Sequence, residues 1–77
     1  MIKTFNSESA EVILASDLIT LYSMVKNKSG VSSPSMVTIK KFKMNSGVEF
    51  LINSQGKSQF FTKTKAIEFI KDNCFSV

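Results

Sequence analysis

The chain has 77 residues, with ten lysines and no arginine against six acidic residues, no histidine and one cysteine; its net charge is +4 and its pI about 9.4. Histidine's absence removes the commonest general base and metal ligand. Arginine's absence removes the planar fork that reads guanine and clamps phosphate. A lone Cys74 cannot close an internal disulfide, so a reducing, cytoplasmic setting is expected.

The length predicts a single domain, 1-77. Hydrophobic residues make up 43% and charged residues 21%, the balance of a folded chain and not of a disordered tail. No apolar run approaches the roughly 18 residues of a membrane span, so no membrane partner is expected. The N-terminal "MIKTFNSESA" has no apolar segment after its lysine, unlike a secretory signal.

In chain order, Met1 to Phe5 is either a short strand or a hydrophobic staple onto the helix that follows. Ser9 to Lys26 reads as that helix. Leu14, Leu18, Leu21 and Val25 recur at helical spacing, with Ser16, Asp17, Thr20 and Ser23 largely between them. Asn6, Ser7 or Ser9 can cap it. The β-branched residues also allow a hairpin over the same stretch, but Asp17 without glycine makes a poor turn. Lys28 to Ser35 is a loop marked by Gly30, Pro34 and serines.

Three strands follow, Met36 to Met44, Val48 to Asn53 and Lys57 to Thr62, divided by the turn signals "NSG" and "SQG". The first pattern is irregular, which implies either a bulge near Lys40-Lys41 or two partly covered faces. Phe60 and Phe61 are adjacent, so one enters the core and the other lies on the open face. A last helix spans Lys63 to Asn73, capped by Thr62 or Thr64, with Ala66, Ile67, Ile70 and Cys74 on one face. The C-terminal "CFSV" is expected to pack or fray. The predicted fold is α+β: a three-stranded antiparallel sheet, with an optional short fourth N-terminal strand and two helices on one face, in the order α-β-β-β-α.

Chemistry is hard to place in this chain. No Gly-rich phosphate loop has the right spacing, and Cys74 has no imidazole to activate it. An enzyme would need a cleft gathering Glu49, Asp17 or Cys74 with a lysine, so neither catalysis, a metal nor a cofactor is expected. Lys40, Lys41 and Lys43, interleaved with Phe42, form the densest basic run. Such a strand can protect a sheet edge, attract phosphates with Phe42 as a stacking surface, or face an acidic protein.

The expected element order resembles the double-stranded RNA-binding domain, and the lysines opening its last helix correspond to Lys63 and Lys65 in "TKTKAIEF". The resemblance implies phosphate contacts at those lysines. It is one of topology: that family's glycine-rich approach is absent, and Ile67, Phe69 and Ile70 replace its small alanine-rich face.

The function expected first is therefore nucleic-acid binding without strong sequence specificity. It would use a basic sheet face of Lys40, Lys41, Phe42, Lys43, Lys57, Phe61, Lys63 and Lys65. The alternative is a protein-binding inhibitor or adaptor, such as a small phage-encoded protein acting on a host factor. A homodimer through an uncovered sheet face is compatible with either. The same abundance of Lys, Asn, Ile, Phe and Ser is also what AT-rich coding produces, without any partner.

Overall fold

A computed structural model describes residues 3–76. Its elements are β1 (Lys3–Thr4), α1 (Ser7–Ile13), β2 (Leu18–Lys26), β3 (Ser32–Met44), β4 (Gly47–Ser54), β5 (Lys57–Phe61), α2 (Lys63–Asn73) and β6 (Cys74–Ser76). All pair antiparallel in one six-stranded sheet, ordered β1-β6-β2-β3-β4-β5. This overturns the three-stranded α-β-β-β-α arrangement and removes the topological basis of the resemblance to the RNA-binding domain.

The largest correction is the stretch from Ser9 to Lys26. Only its start is helical. Asn6 caps α1, accepting from the Ser9 backbone N–H at 2.8 Å, while the Ser9 hydroxyl accepts from the Asn6 N–H at 3.0 Å. The helix then tightens, with Ala15 and Ser16 donating to Val12 and Ile13, each at 3.2 Å. No glycine or proline stops it. The stop is tertiary: the Lys41 N–H donates to the Asp17 carbonyl at 2.9 Å, and its Nζ to the Ala15 carbonyl at 3.1 Å. Beyond that corner β2 alternates with period two. Ile19, Leu21, Ser23 and Val25 turn inward while Leu18, Thr20, Tyr22 and Met24 turn outward.

The Lys28 to Ser35 loop is also shorter than expected, because β3 begins at Ser32 and carries Pro34 opposite Met24. A compact turn closes the hairpin, with the Asn27 side chain accepting from the Ser29 and Val31 N–H groups, both at 3.0 Å. The β3–β4 register runs one to one from Val37↔Ser54 to Met44↔Gly47, without a bulge. The irregular pattern of β3 arises because apolar residues stand on both faces, Val37 and Ile39 buried under the helices and Met36, Phe42 and Met44 on the other side. At the β4–β5 turn, Gln55 and Gly56 take φ of 55° and 76°, the left-handed pair of a type I′ hairpin.

Strand β6 comes from the C-terminal segment expected to pack or fray. It lies between β1 and β2, pairing Cys74 and Phe75 with Ser23 and Tyr22, and Phe75 and Ser76 with Thr4 and Lys3. Both helices cover one side of the sheet. Ala10, Leu14, Ala66 and Ile70 meet Leu21, Val37, Ile39, Phe50, Ile52 and Cys74 in a single core. Beyond Tyr22–Ser23 on β2 and before Val37 on β3, the β2–β3 hairpin has no other paired strand. It projects, and the molecule measures 44 × 24 × 17 Å.

Candidate functional site

No helix covers the other sheet face, and strand alternation decides what it displays, although Phe75 at its β6 end is buried. Leu18, Lys40, Leu51 and Phe60 form one cross-strand row; Thr20, Thr38, Asn53 and Ser58 form the next. Phe75, Tyr22 and Met36 make a third row toward the projecting hairpin, where Met24 also lies outward. In the other direction Phe42 pairs with Glu49. Large apolar side chains stand in solvent here: Leu18 is 66% exposed, Met36 60%, and Phe60 and Met24 47% each. The Phe42 and Phe60 rings meet edge to face with centroids 5.7 Å apart, and Lys40 Nζ lies 5.3 Å from the Phe42 centroid. Lys26, Lys40 and Glu49 are the charged side chains that alternation turns to this face. None of them takes part in an ion pair among the described residues.

The eight residues expected to form one basic face are divided between two sides. Lys40 and Phe42 lie on the open face. Lys41 and Lys43 point to the helix side, where Lys41 holds the corner described above and lies 3.6 Å from Asp17. Lys57 pairs with Ser54 on the helix side of β5. Phe61, expected on the same face, packs instead against Phe69 with centroids 5.5 Å apart. Its neighbour Phe60 takes the open face. Lys63 binds Glu11 at 2.7 Å, tying α2 to α1. This hydrogen bond, and then the lysine charge itself, hold the Glu11 carboxyl below its ordinary pKa. Lys65 is exposed in the first turn of α2.

The groups an enzyme would need are apart. Asp17 is exposed at the corner after α1, Glu49 is on the open face, and Cys74 is buried beneath the helices. Burial pushes the Cys74 thiol up to about 11, which keeps it protonated and unreactive. Among the described residues, no three His, Cys, Asp or Glu side chains converge to hold a metal, and no helix is long and apolar enough to cross a membrane. A groove of about 550 Å³ runs beside β5, bordered by Ile52, Lys57, Gln59, Phe61 and Phe69. A second, of about 320 Å³, lies between α1 and β4 under the Glu11–Lys63 pair. Neither places a nucleophile beside a base.

Sequence reasoning missed Leu18, Tyr22 and Met24 as surface residues. Their signal was legible: "LITLYSMV" is apolar at both alternate sets of positions, as in a strand whose two faces are both apolar. No protein-family model, curated protein or solved structure matches this chain.

Proposed function

We propose that the protein is a non-catalytic protein-binding module whose open sheet face is its docking surface. The observation that carries this is two groups of exposed Leu, Met and aromatic side chains on that face, Leu18 with Phe60 and Tyr22 with Met24 and Met36, on either side of the polar row of Thr20, Thr38, Asn53 and Ser58. Isolated exposed apolar residues are ordinary, but groups of them mark an interaction site. Methionine and aromatic side chains are enriched in protein interfaces and lysine is depleted. Here strand alternation turns two lysines outward, Lys40 beside the Phe42 ring and Lys26 at the far end of the hairpin.

One observation favours nucleic acid as a second reading. Residues 18–48 contain five lysines and no acidic residue, and they make up most of the β2–β3 hairpin. Phe42 and Phe60 beside Lys40 would offer a base-stacking platform.

Two measurements on the same protein separate the readings. Fluorescent single- and double-stranded DNA and RNA are titrated at low and moderate salt against wild type and Lys40→Ala/Lys43→Ala. Proteins retained by immobilised wild type are compared with those retained by Leu18→Asp and Phe60→Asp. The docking reading expects no salt-steep nucleic-acid binding and a retained protein lost in both aspartate variants. Binding that is salt-steep and weakened by the lysine changes would overturn it in favour of nucleic acid.

A further inference from the structure

We propose that the outer edge of β5, with the groove beside it, binds an extended acidic peptide segment that adds to the sheet as a further strand. The inference goes beyond the open face and does not depend on it.

The backbone is the first support. Ser54 and Lys57 flank the type I′ turn and pair with each other, so they exchange hydrogen bonds. Alternation along an antiparallel ladder then makes Ile52 with Gln59, and Phe50 with Phe61, the next bonded pairs. Ser58 and Phe60 therefore aim their N–H and C=O groups away from β4, and among the described residues nothing else bonds them. Such a row is a template for an incoming strand. The same alternation explains Pro34. Lys41 of β3 donates toward β2, so even-numbered β3 residues face the other way, and the missing N–H of Pro34 blocks that edge of the projecting hairpin. Strand β5 has neither a proline nor a bulge.

The groove is the second support. Lys57, Gln59 and Phe61 border it from β5 and Phe69 from α2. A strand added to β5 lays every second side chain at its mouth, where Phe61 and Phe69 form an apolar wall.

Charge selects the occupant. No carboxylate borders the groove. Lys57 stands on its rim, and Lys65 lies one helical turn before Phe69 on the same stripe of α2. Neither lysine takes part in an ion pair among the described residues, so a strand with carboxylates near its ends would meet both. A second copy of β5 is disfavoured, because residues 50–67 hold three lysines and no acidic residue and two copies would set like charges together.

The probes are fluorescein-labelled short peptides that alternate threonine with valine, leucine or phenylalanine and carry a glutamate at each end. Their binding is followed by anisotropy to about 1 mM. At least one is expected to bind, and to weaken by about tenfold or more when its glutamates become lysines. N-methylation of one alternate set of its amides should abolish binding and methylation of the other set should not, because only one set faces β5. Ser58→Pro removes an outward N–H that the β4–β5 ladder does not use and should abolish binding. Lys57→Glu/Lys65→Glu should weaken it by about tenfold or more, while Lys28→Glu, in the turn of the projecting hairpin, should leave it unchanged. Thermal unfolding shows that each variant is folded.

The inference is overturned if no probe binds, if binding survives Ser58→Pro, if the two methylated sets behave alike, or if lysine-ended probes bind as well. Nucleic acid bound salt-steeply and lost in Lys57→Glu/Lys65→Glu, with no probe bound, overturns it in favour of phosphate contacts at those lysines.

Discussion

At the residue scale, single side chains hold positions that the chain around them would not choose. Gln55 occupies the left-handed region at φ 55°, which costs a non-glycine residue about 1 kcal/mol or more and asparagine less. Gln55→Asn is expected to raise stability by about 0.5 kcal/mol, measured by urea unfolding with an unchanged m-value. Cys74 is buried at 3% exposure. With its thiol at about 11 against an ordinary 9.0, the folded state binds the proton more tightly than the unfolded state. Stability should therefore be intact below pH 9 and fall as pH rises toward 11, by up to about 2 kcal/mol. Comparing wild type with Cys74→Ala across that window isolates the contribution from lysine titration. A thiol reagent at pH 8 should leave the folded protein unmodified and react once it is denatured.

Glu11 runs the other way. Its carboxyl is lowered by Lys63, so the contribution of that pair is present above the ordinary carboxylate range and is lost as pH falls through the lowered value. Both side chains are more than half exposed, and salt should erase most of it.

At the element scale, the corner between α1 and β2 depends on a residue far away in sequence. Lys41 donates to the Ala15 carbonyl in the turn after the helix and anchors Asp17 through its own backbone. Asp17 is 94% exposed on its side chain, so the ion pair adds little and the carbonyl contact matters more. Lys41→Met should lower stability by about 1 kcal/mol in chemical denaturation. A larger loss of nucleic-acid binding than of stability would instead assign Lys41 to a phosphate contact.

Strand β6 is equally dependent on its surroundings: three residues bonded to two other strands, with Phe75 only 5% exposed. Phe75→Ala should cost about 3–5 kcal/mol. A domain of this size holds about 4–12 kcal/mol in all, so that variant should unfold or melt well below wild type in a thermal scan followed by circular dichroism.

At the scale of the whole molecule, two short helices cover one side of a six-stranded sheet and no helix covers the other. One five-residue outer strand, β5, and one two-residue outer strand, β1, end the sheet. The side without helices displays Leu18, Tyr22, Met24, Met36 and Phe60. Changing Leu18 to Asp should leave stability within about 0.5 kcal/mol, because so exposed a position bears little packing, whereas Phe60→Asp also loses the edge-to-face contact with Phe42 and should cost about 1 kcal/mol. The same changes should abolish whatever association the face supports, which separates a binding role from a folding role in one pair of measurements.

The sequence by itself determined the local parts. The meander from Met36 to Phe61 and the helix from Lys63 to Asn73 were legible because turn glycines, strand alternation and a capping threonine act within a few residues. It also determined the residue inventory: one thiol, no imidazole and an excess of lysines. Only the tertiary structure decided the rest. Leu14, Leu18, Leu21 and Val25 carry helical spacing, yet Lys41, more than twenty residues on, ends the helix and lets β3 take Leu18–Lys26 as a strand. The C-terminal segment became β6 because it bonds β2 on one side and β1 on the other, partners more than fifty residues away in sequence. The side of the sheet on which each lysine falls follows from that assembly, since adjacent strand residues point oppositely and the helices cover one side alone.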